Sequence, residues 1–116
     1  MDFSKAEKKI LRQLSGTAYE RELKAELKKL IPHLLQLESG TLTTFDVEEK
    51  VHEFHDKTSR QLYGFYVIQN NPLYAVARGL AMQIIEPSEI PQNLLQKMEG
   101  ARQVFASGFG ASDSRD

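Results

Sequence analysis

Two histidines and two carboxylates lie close together in the middle of the chain, and these side chains are the best suited to chemistry. His52 and His55 are three residues apart, Glu48 precedes His52 by four residues, and Asp56 follows it by four. Residues three and four apart lie on one face of an α-helix. Imidazole and carboxylate groups together suit zinc, iron or manganese. The sequence therefore predicts one candidate metal site, formed by Glu48, His52, His55 and Asp56.

A complete metal site would need ligands from a second helix, because helical bundles build such sites from facing helices. The order His-Glu-Phe-His differs from the HExxH pattern of zinc proteases. The interpretation we favour is structural, with a neutral His52 hydrogen-bonded to a neighbouring carboxylate and His55 packed closer to the core. The candidates for additional ligands are Glu22, Glu26, His33 and Glu38, none of which has a motif spacing.

Residues 43–70, which contain both histidines, show the clearest helical period in the chain. At about 100° per residue, one face is apolar and the opposite face is charged, which predicts an amphipathic helix with one buried side. Thr43 or Thr44 can cap its start. Glycine in a helix interior costs about 1 kcal/mol relative to alanine, so we expect another helix to cross closely at Gly64. The apolar face consists of Val47, Val51, Phe54, Thr58, Leu62 and Phe65.

Two helices are predicted before this central one. Ser4 with Glu7 forms the capping-box pattern of a short leading helix that ends at Gly16. Thr17 opens a second, longer helix that ends at Ser39-Gly40. We expect a kink at Pro32, because proline removes a backbone hydrogen bond. The apolar stripe of the longer helix is Tyr19, Leu23, Leu27, Leu30, Leu34 and Leu37.

Two more helices are predicted after it. Asn71 caps one that begins at Pro72, and Ser88 caps a last one whose stripe is Leu94, Leu95, Met98, Ala101 and Phe105. The remaining residues, 107–116, are small and polar, and we expect a flexible tail. Together these signals predict an all-α fold, a compact bundle of four main helices plus the short leading one. The single domain would cover residues 1–106.

Residues 72–85 form the most apolar segment of the chain, with Arg78 as the only charged side chain. A helix that is apolar nearly all round must be covered on several sides. It is therefore either the innermost element or part of an oligomer interface. Arg78 either pairs with a carboxylate, because an unpaired buried charge is very costly, or binds an anion. The residues predicted to form the interface are Leu73, Val76, Arg78, Leu80 and Ile84.

Composition excludes several functional classes. The 116 residues carry a formal net charge of −1, which gives no bulk attraction to nucleic acid or to an anionic membrane. With no cysteine, the chain has no disulfide, thiolate nucleophile or cysteine-ligated zinc. The polar start lacks the apolar region of a signal peptide, and no apolar run reaches the roughly 18 residues of a membrane span. We expect a cytoplasmic protein.

The segment Val-His-Glu-Phe-His-Asp at residues 51–56, continuing to Tyr63, resembles a segment of small uncharacterised bacterial helical proteins. Ala-Tyr-Glu-Arg-Glu-Leu at residues 18–23 resembles the same group. The resemblance implies a bacterial origin and a helical fold, and it implies no activity. The leading hypothesis is a non-enzymatic protein that acts by association, with itself as a homodimer or with another protein. The alternative is a metal-binding or hydrolytic bundle that uses the histidine cluster.

Overall fold

A computed structural model describes residues 3–99 of the chain, and all the regular structure in this range is helical. This confirms the all-α fold class. Joined across short interruptions, the described segments make four helices plus one 3₁₀ turn, Pro87–Glu89. The α-helical segments are α1 (Lys5–Lys28), α2 (Ile31–Ser39), α3 (Thr44–Glu53), α4 (Arg60–Tyr63), α5 (Pro72–Ala81) and α6, residues 92–99. π-helical segments follow α3 (Phe54–Ser59, the first π segment) and α4 (Gly64–Ile68, the second π segment).

The first helix begins at the predicted capping box. The Ser4 backbone N–H donates to Glu7 Oε1 at 2.8 Å, and the Glu7 N–H donates to Ser4 Oγ at 3.1 Å. The predicted stop at Gly16 is wrong, because α1 continues through it without a break. Instead of capping a new helix, the Thr17 hydroxyl donates to the Gln13 carbonyl oxygen at 3.1 Å. The expected leading helix is therefore the first half of α1.

The junction between α1 and α2 reflects the backbone chemistry of Pro32. Proline has no N–H to donate to the carbonyl of Lys28, and α1 ends at Lys28. Lys29 and Leu30 form a turn, after which α2 begins with Pro32 in its first turn. The expected kink therefore takes the form of a two-residue interruption. Gly40, at φ 83°, ends α2 in the left-handed conformation that favours glycine.

The central helix starts at a second capping box. The Asp46 N–H donates to Thr43 Oγ1 and the Thr43 N–H donates to Asp46 Oδ2, both at 3.1 Å. The hydrogen bond from the Thr43 backbone holds the pKa of Asp46 below its usual value. At Gly64, the expected close crossing by another helix is wrong, because an added Cβ would meet nothing within 4 Å. Gly64 instead begins the second π segment, where its carbonyl oxygen accepts the Gln69 N–H at 2.9 Å.

The helix α5 begins as predicted, with the Asn71 side chain accepting the Tyr74 N–H. It ends at Ala81 rather than near Ile85. The Ile84 N–H donates to the Gly79 carbonyl at 2.7 Å and the Gln83 N–H to the Leu80 carbonyl at 3.2 Å. This is the Schellman pattern of a helix end, and it places Gln83 in the left-handed region at φ 61°.

The last helix starts later than expected. Ser88 lies inside the 3₁₀ turn, and α6 follows Pro91, whose carbonyl accepts the Leu95 N–H at 2.9 Å. Lys97 on α6 donates to Glu7 Oε1 at 2.8 Å, and this hydrogen bond lowers the pKa of Glu7. The expected contributions of Ala101 and Phe105, and of the tail at 107–116, lie outside the described residues.

The described chain forms two compact units, and their boundary falls within α1. The first unit comprises residues 3–18 and 71–99, and its buried apolar side chains include Leu11, Leu14, Val76, Ile85, Leu94 and Met98. The second unit is Tyr19–Asn70, in which Val47, Leu62 and Tyr66 are the buried apolar side chains among those described. The single domain at 1–106 stays a prediction. Among residues 3–99, no helix is both long and apolar enough to cross a membrane.

Candidate functional site

The four residues predicted as metal ligands do not converge. His52 Nε2 lies 3.4 Å from Glu48 Oε1, which agrees with the expected contact between His52 and a neighbouring carboxylate. His55 is exposed, so the expectation that it packs closer to the core is wrong. Asp56 is also exposed. Within residues 3–99, no three histidine or carboxylate side chains are placed to hold a metal ion. Metal binding at this cluster stays a prediction.

The additional ligands considered for that site lie elsewhere in the second unit. Glu22 Oε1 accepts a hydrogen bond of 2.6 Å from the Tyr66 hydroxyl. His33 and Glu26 line a cleft of about 260 Å³ together with Lys50 and Glu53. His33 Nδ1 is buried and has no hydrogen-bond partner in the described part of the chain. This arrangement brings neither His52 nor His55 to His33.

A larger cleft, of about 470 Å³, runs along the two π segments. A π-helix closes hydrogen bonds between residues five apart, so each turn holds more than the roughly 3.6 residues of an α-helix. Side chains four to five positions apart then lie above one another. At about 100° per residue, positions four apart still share a face, whereas positions five apart diverge by about 140°. The residues from this helix that line the cleft are His55, Ser59, Arg60, Tyr63, Gly64 and Ile68.

One wall of this cleft is aromatic and held in place. Tyr19 of α1 lines the cleft, and its ring stacks on that of Tyr66 at a centroid distance of 4.9 Å and an interplanar angle of 11°. Tyr66 is buried and is fixed by its hydrogen bond to Glu22. Phe65 contacts the Tyr66 ring edge-on, with the centroids 4.8 Å apart. A charge-assisted hydrogen bond therefore holds the Tyr66 ring on which the Tyr19 ring stacks.

The residues predicted to form an oligomer interface are covered within the chain. Val76 is 0% exposed and Leu80 is 8% exposed, while Leu73, Arg78 and Ile84 are half-buried. Val76 and Leu80 therefore present no free surface to a second copy, whereas an interface through Leu73, Arg78 and Ile84 stays a prediction. Arg78 has an interaction partner. Ala75, Ala77 and Gly79 are small and buried, and at Gly79 the side chains of Ile85 and Ala18 approach the helix closely.

Exposed apolar surface is concentrated instead in the second unit, and α2 shows it most clearly. α2 has no buried residue, although it contacts α3. Ile31 is 50% exposed, Leu34 51% and Leu35 60%. These three residues are three and four positions apart, so they share one face of the helix. We call Ile31, Leu34, Leu35 and the partly exposed Leu37 the α2 face.

The sequence contained a signal for the α2 face that periodicity did not reveal. Leu34 and Leu37 belong to the apolar stripe predicted for the longer helix, and the stripe alone does not show whether it is buried. The more specific signal is the absence of Asp, Glu, Lys and Arg from residues 30–37, a segment that contains five leucines and isoleucines. The π-segment cleft had no comparable signal, because at about 100° per residue its two rows of side chains, at 55, 59 and 63 and at 60, 64 and 68, lie about 140° apart.

The comparisons with known proteins identify no relative. No protein-family model, curated protein sequence or solved structure matches this chain. The resemblance of residues 51–63 to small bacterial helical proteins therefore stays a prediction. Function has to be inferred from the surfaces of the molecule.

Proposed function

We propose that the protein is a non-enzymatic helical protein that acts by association, and that a second copy of the chain binds at the α2 face. The observation that supports this most strongly is a complete helix without a buried residue, on which three aliphatic side chains are at least half exposed. Contiguous exposed apolar surface on a globular protein commonly marks an interaction site. The cytoplasmic location and the bacterial origin stay predictions.

A second copy is favoured over a charged partner by the chemistry of the surface. Residues 30–37 contain no Asp, Glu, Lys or Arg, so two copies can face each other there without carboxylates or permanent cations of like charge meeting. In a two-fold dimer the same patch lies on both sides of the contact, and leucine and isoleucine surfaces are complementary to themselves. A charged partner would find no complementary charges on the α2 face.

The size of the expected effect follows from the exposed fractions. Burying a whole leucine or isoleucine side chain contributes about 1.5–3 kcal/mol, and Leu34, at 51% exposure, has about half of its surface left to bury. Each copy of Leu34 would then contribute about 1 kcal/mol. Because a two-fold interface contains the residue twice, Leu34→Ala should weaken the dimer by about 2 kcal/mol, or roughly 30-fold in Kd.

Sedimentation equilibrium of the full chain tests this proposal. We expect the parent protein to show a concentration-dependent mass that rises toward a dimer, and Leu34→Glu to remain a monomer at the same concentrations. Met82→Glu is a matched control, because Met82 is 52% exposed but lies in the first unit. It should retain the mass of the parent. A monomeric parent, or equal loss of the dimer in both variants, would refute association at the α2 face.

The metal-binding alternative has less support. Only Glu48 and His52 lie close together, and both side chains are mostly exposed. Zinc sites generally use three or four protein ligands. Stoichiometric metal in the purified protein, lost in both His52→Ala and His55→Ala, would reverse the order of the two proposals.

A further inference from the structure

A cation and a stacked aromatic ring both line the cleft of the two π segments. Arg60 contributes a permanently charged guanidinium group, and Tyr19 forms the fixed wall. The volume of about 470 Å³ lies within the usual range for clefts that bind small molecules. The cleft therefore combines a charge with a flat apolar surface.

Arg60 is not neutralised by the described part of the chain. Asp56 precedes Arg60 by four residues and is exposed, and the two side chains form no salt bridge in the structure. Among residues 3–99, no carboxylate forms a salt bridge with Arg60. The guanidinium remains available for a planar, two-point hydrogen bond with an anion.

Other polar groups of the cleft can add to such binding. Ser59 and Tyr63 have hydroxyl groups that donate hydrogen bonds, and the His55 imidazole can also donate one. Gly64 leaves open space, since an added Cβ would meet nothing within 4 Å. Next to these groups, Tyr19 and Ile68 provide apolar surface. Inorganic phosphate could use the polar groups and would leave the apolar wall without a partner.

We propose that this cleft binds a small organic anion, in which a phosphate or carboxylate group pairs with Arg60 and a flat apolar group lies against Tyr19. Binding of an anion in this cleft is a second property of the protein and does not depend on association at the α2 face. Three observations support this: the alignment of side chains along the π segments, a guanidinium that pairs with no carboxylate of residues 3–99, and the stacked Tyr19 ring.

Amide chemical shifts of the full-length ¹⁵N-labelled protein test the proposal, with phenyl phosphate and benzoate as probes. We expect at least one of them to cause saturable shifts in residues 55–68, with a Kd of about 1 mM or less. Neutral benzyl alcohol should bind at least about tenfold more weakly than that probe. Tighter binding of phenyl phosphate would indicate a phosphate ester, and tighter binding of benzoate would indicate a carboxylate.

Three variants test separately the charge of Arg60, the open volume of the cleft, and non-specific effects of removing a cation from the same helix. Arg60→Gln should weaken binding by about tenfold or more, and Gly64→Leu should block the cleft while it leaves Arg60 in place. Lys57→Gln is the control, because Lys57 is an exposed cation on the same helix that does not line this cleft. It should bind like the parent.

The proposal is overturned if neither anion gives saturable shifts, if benzyl alcohol binds as tightly as the anions, or if Arg60→Gln binds like the parent. Loss of the dimer is measured separately, as the mass of the protein in sedimentation equilibrium. Leu34→Glu should keep the cleft affinity, and Arg60→Gln should keep the mass of the parent protein.

Discussion

Gly79 and Gly16 are both helical glycines, and replacing each by alanine should have opposite effects on stability. A Cβ on Gly79 would lie 3.0 Å from Ile85 Cγ1 and 3.8 Å from Ala18 Cβ. Ile85 is 1% exposed and its N–H donates to the Gly79 carbonyl at 3.1 Å, so it has little freedom to move away. A Cβ on Gly16 would meet nothing within 4 Å.

Both substitutions gain stability from the higher helix propensity of alanine, and only Gly79→Ala also loses stability through overpacking. Alanine is better than glycine in a helix by about 1 kcal/mol, so Gly16→Ala should raise the free energy of unfolding by about that amount. At Gly79 the same gain opposes overpacking, because carbon atoms prefer separations of about 3.5–4.0 Å and inserting a methyl into a filled core costs about 1–3 kcal/mol. Gly79→Ala should therefore be about 1–3 kcal/mol less stable than Gly16→Ala.

Urea unfolding followed by circular dichroism at 222 nm measures both variants against the parent protein. Similar slopes with different midpoints would assign the change to stability rather than to the denatured state. If Gly79→Ala is stabilised as much as Gly16→Ala, the close approach of Ile85 to α5 is refuted. The explanation for the burial of α5 would then fail as well.

Three other outcomes follow from local geometry. Gln83 has a positive φ of 61°, so Gln83→Gly should raise the free energy of unfolding by about 1 kcal/mol; an unchanged urea midpoint would argue against this backbone conformation. The hydrogen bonds from Thr43 lower the pKa of Asp46 in the folded state. The ionised carboxylate therefore stabilises the fold above the unfolded pKa of about 3.9, and this contribution is lost as the pH falls through the lower pKa of the folded state. Asp46→Asn should therefore show a shallower loss of melting temperature over that acidic range, and an identical pH profile would contradict the capping role. Tyr66→Phe removes the 2.6 Å hydrogen bond to Glu22 and should lower the free energy of unfolding by about 1.5–3 kcal/mol. A urea midpoint equal to that of the parent protein would contradict this.

Local signals predicted the helix starts well and the helix interiors less well. The capping box at Ser4 and the caps at Thr43 and Asn71 are confirmed, because each depends on hydrogen bonds between residues three apart. Gly16 was wrongly taken as a stop. A single glycine costs about 1 kcal/mol in a helix, and continued helix on both sides of Gly16 offsets that penalty.

The candidate surfaces were harder to predict. Periodicity shows that one face of a helix is apolar, and it does not show whether the same chain covers that face. For this reason the predicted interface residue Val76 is buried, whereas Leu34, which belongs to the apolar stripe predicted for the longer helix, is exposed. The cleft at Arg60 depends on the π segments, and a helical wheel drawn with an α-helical period cannot represent them.

Disulfide trapping through the α2 face tests the central proposal most directly, and the chain suits it because it contains no cysteine. Single cysteines would replace Ile31, Leu34, Leu35 and Leu37 in turn, with Met82→Cys as the control outside the second unit. In a two-fold dimer, residues near the axis lie close to their own copies, and a disulfide needs Cα atoms within about 7 Å. We predict that at least one α2 position forms a covalent dimer much faster than Met82→Cys at micromolar concentration. If none of the four exceeds the control, a second copy of the chain does not bind at the α2 face.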